Sequence, residues 1–250
     1  MIASSMGECY QVPGAWHLLR VGSWARAHRP SLHCGKHVSC RRTQRPHHPM
    51  DLILVCHGAT DSAPGVCIGQ ADLALSSEGF TGVQRLAAGW SAAAPRFLFS
   101  SDLRCAQQTA QVFAARFAIE PLADARLREM DFGRWEGRNW VDISRNDADL
   151  HRHWRDNWVI QQAPDGESFA DVIRRTGAWL AALLSSTAQD DCVLAIAHAG
   201  SIRALLCHAL GLSPGRAQGI GIEPARVSRL RHAHGQFEVR HMNTTRFEPE

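Results

Sequence analysis

The stretch Leu52-Ile53-Leu54-Val55-Cys56-His57-Gly58-Ala59-Thr60-Asp61 decides the fold. Four aliphatic residues run directly into a cysteine, a histidine and a glycine. A short apolar run bounded by polar residues and glycine is the pattern of a strand buried on both faces. In open α/β sheets ligands bind beyond the carboxyl ends of the strands. His57 is therefore predicted at the edge of a sheet where chemistry is done, with Cys56 beside it.

The same pattern recurs twice. Phe97-Leu98-Phe99 runs into Ser100-Ser101, and Cys192 to Ala197 runs into His198-Ala199-Gly200. Helical spacing lies between these runs. Ser76-Ser77-Glu78 offers a cap and an acidic first turn, followed by Phe80, Val83, Leu86, Ala87 and Trp90. Ser101 is predicted to cap a second helix with Val112, Phe113, Arg116 and Phe117 in its later turns. Residues 137–163 are polar, rich in tryptophan and helical in part. Ser168-x-x-Asp171 resembles a capping box and opens a helix whose buried face carries Phe169, Val172, Ile173, Trp179, Leu180, Leu183 and Leu184. A further helix spans 201–210, and His234-Gly235 joins two short strands as a hairpin. Alternating strands and helices predict an α/β class fold, a three-layer α/β/α sandwich around a mostly parallel sheet, over residues 50–250.

Composition sets the outer bounds. The chain has 250 residues, 45% of them hydrophobic, enough for a real core. It contains no apolar run of membrane-spanning length. The formal charge of +3 is unevenly spread: seven of the 27 basic residues, but only Glu8 among the 24 acids, lie in residues 1–49. The slightly acidic remainder argues against nucleic-acid binding. Eight cysteines lack the spacing of a disulfide framework, so a reducing cytoplasm is expected. Residues 1–49 show no sustained period and no convincing signal peptide. They are read as a basic, disordered extension, or as sequence upstream of a functional start at Met50. His33-Cys34-x-x-His37-x-x-Cys40 is only faintly metal-like.

The strand ends at His57, Ser101 and His198 are expected side by side. Gly58 and Gly200 allow close approach of backbone and ligand. Helices starting near 101 and 201 would aim N–H groups at the same place, which favours an anion.

Five motifs carry a family resemblance. Leu54-Val55-Cys56-His57-Gly58-Ala59-Thr60 is followed by Ser100-Ser101-Asp102-Leu103-Arg104-Cys105-Ala106-Gln107-Gln108-Thr109-Ala110. Next come Leu127-Arg128-Glu129-Met130-Asp131-Phe132-Gly133-Arg134-Trp135-Glu136-Gly137 and Pro164-Asp165-Gly166-Glu167-Ser168. The last is Ile196-Ala197-His198-Ala199-Gly200-Ser201-Ile202-Arg203. In this order and spacing they resemble the histidine phosphatase superfamily, the phosphoglycerate mutase-like fold. Size and the tryptophan-rich segment most resemble the α-ribazole phosphatases of cobalamin biosynthesis.

The resemblance implies that His57 is the nucleophile and passes through a phosphohistidine. It makes Glu129 the general acid and His198 a ligand that polarises the phosphoryl oxygens, with no metal and no cofactor. Substrate contacts would come from residues 56–60, including Cys56, Gly58 and Thr60, from Ser101 and Cys105, and from Ala199 and Gly200. Arg203 joins them as a possible phosphate ligand. Two arginines normally grip the phosphate in this family, and their positions hold Cys56 and Cys105. Arg104 is a candidate substitute for the second, although a one-residue shift turns a helical side chain by about 100°. Ala199 stands where glycine is customary, and the usual asparagine after the first motif is missing.

The resulting expectation is hydrolysis of a small phosphorylated metabolite, of the α-ribazole-5'-phosphate type, weakened by loss of the arginine clamp. The alternatives are another phosphatase or mutase activity, and a catalytically degenerate binding or regulatory protein on the same scaffold. Cys56, Cys105, His57 and His198 also form a zinc-compatible set, against which stands the opposite direction of adjacent side chains in a strand. A Cys56–Cys105 disulfide is a further possibility. A cysteine-based phosphatase is disfavoured because Ser62 stands where its arginine belongs. Neither a nucleic-acid nor a membrane partner is expected, and the chain is expected to be a monomer or homodimer.

Overall fold

The computed structural model describes residues 49–188 and 190–247. The readings made for residues 1–48, including the His33–Cys40 cluster and the alternative start, lie outside the described residues. Seven residues form the first strand, β1 (Met50–Cys56), which extends the apolar run Leu52–Val55 by two residues at its start and one at its end. It is followed by α1 (Ser77–Ala88), β2 (Phe97–Ser100), α2 (Arg104–Phe117) and β3 (Pro121–Ala123). Then come α3 (Trp140–Asn146), α4 (Ala148–Asn157), α5 (Phe169–Ser186), β4 (Cys192–Ala197) and α6 (Ala199–Leu210). The hairpin strands β5 (Val227–Ala233) and β6 (Gln236–Thr244) close the sheet.

The sheet has six strands in the order β3-β2-β4-β1-β5-β6. The pairs β3–β2, β2–β4 and β4–β1 are parallel, while β5 and β6 are antiparallel to their neighbours. The mostly parallel three-layer sandwich is therefore present. Side-chain alternation along β1 divides it. Leu52, Leu54 and Cys56 face one apolar layer, with Trp179, Leu180 and Leu183 of α5 and Ile202, Leu205 and Leu206 of α6. Ile53 and Val55 face the other, with Val83 and Leu86 of α1 and Ala106, Ala110 and Phe113 of α2. β4 alternates in register: Val193, Ala195 and Ala197 share the first layer, Leu194 and Ile196 the second. An apolar run can serve both layers only because the strand is central and covered on both sides.

Local signals explain most boundaries. Ser76 caps α1 by accepting from the Gly79 N–H at 2.9 Å, and Glu78 lies in its first turn. Ser168 and Asp171 form the reciprocal capping box of α5. His234 and Gly235 both take positive φ, 53° and 77°, as a two-residue hairpin turn requires. The last helix begins at Ala199 rather than 201, and the start of α2 also differs from expectation. The cap of α2 is Leu103, which has no side-chain hydrogen bond, and the helix begins at Arg104. Ser101 is drawn instead toward the sheet edge, where its hydroxyl meets His198. The edge strand β3 has only three residues and leaves no periodic trace to read.

The tryptophan-rich segment forms its own cluster. Trp135 and Trp154 pack with Met130, Ile143, Phe169 and Val172. The indole N–H of Trp135 donates to Asp147 Oδ2 at 3.0 Å. Both rings are buried in this cluster.

Phe113 lies fully buried in the α1/α2 layer against Trp90. Phe113→Ala should lower stability by about 3–5 kcal/mol. Urea unfolding should show a reduced midpoint at an unchanged slope.

Candidate active site

The carboxyl ends of β1, β2 and β4 bring His57, Ser101 and His198 together. Parallel pairing sets Cys56 opposite Ala197 and Ser100 opposite Ile196, so the next residue of each strand emerges at the same edge. The imidazole rings of His57 and His198 lie 4.8 Å apart between centroids, tilted by 59°. A pocket of about 280 Å³ opens above them. His57, His198, Glu129, Cys105, Thr60 and Ser62 supply its functional groups, and Ala59, Ile68, Leu73, Leu103 and Pro224 its apolar walls.

Each group is oriented by a neighbour. His57 Nδ1 lies 2.7 Å from the Gly58 carbonyl oxygen, so this nitrogen carries the proton and Nε2 keeps its lone pair. The Gly58 N–H donates to Thr109 Oγ1 at 3.1 Å, which ties the loop after β1 to α2. A side chain at Gly58 would meet the Gly79 carbonyl at 2.7 Å, so glycine is needed for this approach of loop to helix. His198 Nε2 lies 2.8 Å from Ser101 Oγ. Burial draws the His57 pKa below its ordinary value. Burial, then the neighbouring His57 and Arg175, takes His198 well below it. Both rings are neutral at pH 7.

Glu129 sits in an irregular loop and depends on contacts from elsewhere. Its Oε1 accepts from the Met130 N–H and its Oε2 from the Gly200 N–H, each at 2.8 Å. A Cβ on Gly200 would collide with the Glu129 carboxyl group, which fixes glycine there. Burial raises the Glu129 pKa against the opposing pull of these N–H groups, Arg175 and Arg203. Burial favours the acid form of a carboxyl group, the form that can donate a proton.

The residue that sequence reading missed is Arg175. It projects from α5 and donates to the carbonyls of Arg126, Arg128 and Glu129 at 2.9, 2.7 and 2.7 Å. It also forms a two-point ion pair with Glu167, at 2.8 and 2.9 Å. The loop that carries Glu129 is thus fixed through its backbone. The available signal was an arginine between Val172 and Trp179 on the buried face of an amphipathic helix.

Other assigned positions fall differently. Cys105 lines the pocket, whereas Cys56 is absent from its lining and lies 2% exposed in the α5/α6 apolar layer. Burial raises both thiols, Cys105 to about 11, so neither is a thiolate at pH 7. Arg104 does not replace the missing clamp: its side chain is exposed and outside the pocket lining. Arg203 donates through Nε to the Ile220 carbonyl at 2.8 Å and is also outside the lining. Ala199 and Gly200 stand behind Glu129 rather than on the pocket wall. The helix N-termini expected to hold an anion already face protein carboxylates, α6 through Gly200 to Glu129 and α2 through Arg104 N–H to Asp72 Oδ1 at 2.7 Å. A larger hollow of about 730 Å³, between Arg85, Arg226 and Arg246, holds no imidazole, thiol or carboxylate.

Arg175→Ala should cost about 3 kcal/mol, because Glu167 and three carbonyls lose their donor in a largely buried setting. Denaturant unfolding measures it. The two histidines make stability depend on pH. Unfolded, their pKa is near 6.5; folded, both are lower, so the unfolded chain binds more protons below about pH 6.5. Their contribution is complete above that value and is lost as pH falls. Glu129, whose pKa is raised, acts in the opposite sense. The stability difference between the wild type and His57→Gln/His198→Gln should therefore shrink on going from about pH 7.5 to 5.5.

Comparison with known proteins agrees with this geometry. The family model described as histidine phosphatase superfamily (branch 1) matches residues 52–245. Glucosyl-3-phosphoglycerate phosphatase of Mycobacterium tuberculosis is 33% identical over 163 residues, 62% of this chain and 72% of that one. Adenosylcobalamin/alpha-ribazole phosphatase of Escherichia coli is 27% identical over 164 residues, 65% of this chain and 80% of its own. The crystal structure of the alpha-ribazole phosphatase from Shigella flexneri superposes with a TM-score of 0.75 at 24% identity, covering 80% of this chain and all of that one. With its sheet, its paired histidines and a family match over most of its length, the chain belongs to the histidine phosphatase superfamily.

Proposed function

We propose that this chain is a phosphomonoester hydrolase that works through His57 with a weakened hold on the phosphate. The observation that carries the reading is the arrangement of His57, His198 and Glu129 around one pocket that no arginine lines. The Nε2 lone pair of His57 attacks phosphorus, and the bond to the leaving oxygen breaks. Glu129 gives its proton to that oxygen. Water then attacks the phosphohistidine, passes a proton to the Glu129 carboxylate, and releases inorganic phosphate and free His57.

Phosphoryl transfer depends on positioning and on stabilising charge at the equatorial oxygens. In this pocket the polar donors are uncharged imidazole, hydroxyl and thiol groups. Loss of one preorganised donor commonly costs on the order of 10² to 10³ in rate. Cysteine supplies neither the fixed charge nor the planar fork of arginine.

The apolar walls formed by Ile68, Leu73 and Leu103 favour a small phosphorylated metabolite with an apolar or aromatic body. Likeness to the alpha-ribazole phosphatase of Escherichia coli makes α-ribazole-5'-phosphate the first compound to test. The mycobacterial relative is named for a different phosphate ester, so the panel must be broad.

The test is steady-state hydrolysis of phosphomonoesters by four proteins: wild type, His57→Ala, Cys105→Arg and Cys56→Arg/Cys105→Arg. The wild type should turn over well below the roughly 10 s⁻¹ of a median enzyme, and His57→Ala should abolish that activity. Cys105→Arg, at the pocket wall, should raise kcat/KM about 10²-fold. Ordinary wild-type rates would refute the weakened clamp. Equal rates in wild type and His57→Ala would remove His57 as nucleophile. Phosphate binding without hydrolysis, even with the arginines restored, would favour the binding-protein alternative.

A further inference from the structure

We infer that His57, Cys105 and His198 form a binding site for a thiophilic divalent cation such as zinc. One ligand atom from each residue lies within 4.8 Å of the other two. Donors held about 2.0 and 2.3 Å from one tetrahedral zinc ion lie roughly 3.5 Å apart. Side-chain movement on the order of 1 Å closes the set. The four-residue site considered from sequence does not form, because Cys56 points into the α5/α6 layer while Cys105 lines the pocket. The three residues that remain, two histidines and a cysteine, match a known ligand set for zinc with an open fourth position. That position faces the pocket.

The surroundings suit a cation. His57 Nδ1 is committed to the Gly58 carbonyl, which aims the Nε2 lone pair away from it; metal-bound histidines are oriented by such a contact. His198 is held through Nε2, 2.8 Å from the Ser101 hydroxyl, and that hydroxyl has to turn away for this nitrogen to serve as a ligand. Both imidazoles are already unprotonated at pH 7. Coordination requires Cys105 to lose its proton to solvent, and a bound metal drives that step despite the raised thiol pKa. None of the described residues that line the pocket is an arginine. The ion would occupy the lone pair with which His57 attacks phosphorus, so metal binding and hydrolysis exclude one another. The inference rests on donor geometry alone and stands whether or not the chain hydrolyses phosphate esters.

The test uses the full-length chain carrying Cys34→Ser/Cys40→Ser, which removes the other cysteine-histidine cluster. Titration with cobalt(II) should give thiolate-to-cobalt absorption saturating at about one ion per chain, displaced by zinc. Adding Cys105→Ser should abolish the thiolate band, and His57→Gln should weaken binding at least 10-fold, while Cys56→Ser leaves both unchanged. Circular dichroism melts confirm that each variant is folded. Cys105→Ala serves as the second variant if Cys105→Ser melts early. The inference is overturned if no thiolate band appears, or if the band survives loss of Cys105.

Discussion

The parallel pairing of β1 with β4 is the constraint on which the site depends. It sets Cys56 opposite Ala197 at the end of two buried strands, and so brings His57 and His198 out at one sheet edge. The same pairing requires each strand to alternate between two apolar layers. Cys56 is therefore committed to the α5/α6 side in the residue before His57 reaches the pocket. Adjacent positions in the chain thus have unlike fates, one buried as a small apolar group and one presented to substrate.

Much of this was legible in the sequence. Buried central strands have a strong signature, and three of them ended in His, Ser or Gly. Caps at Ser76 and Ser168 and the turn at His234-Gly235 are local devices and could be read locally. Other features were not readable because they depend on tertiary partners. Ser101 is a good helix cap by residue type, but its hydroxyl lies 2.8 Å from His198 Nε2 and accepts from the Leu103 N–H, ahead of the helix. Arg104 looked like a substitute phosphate ligand because it is next to Cys105 in sequence. On a helix that one-residue offset is enough to turn it into solvent.

Arg175 shows the same limit. Glu129 lies in a loop with no repeating pattern, and its position is fixed from α5, some 46 residues away in the chain. A single guanidinium satisfies three carbonyls and the Glu167 carboxylate, and its planar geometry makes this possible. The Pro164-Asp165-Gly166-Glu167-Ser168 motif then has a physical meaning. It delivers Glu167 to Arg175 and to the Asp131 N–H, and it starts α5 with the Ser168 cap. The motif supports the acid without touching the substrate.

Cysteines at Cys56 and Cys105, where the family resemblance expects two arginines, would change more than the affinity for phosphate. A guanidinium at the pocket would favour the ionised form of Glu129, because nearby positive charge lowers a carboxyl pKa. It would equally keep both histidines neutral. With cysteines there, burial is the largest influence: it raises the Glu129 pKa and lowers those of both imidazoles. On the proposed hydrolase reading, such a pocket suits the proton transfers of ester hydrolysis better than the holding of a dianion. Neutral nitrogen donors and a thiol are also the ligand types that a soft cation takes. On the proposed reading, the two cysteines leave the arrangement of His57, His198 and Glu129 in place and would move its electrostatics from anion recognition toward metal recognition.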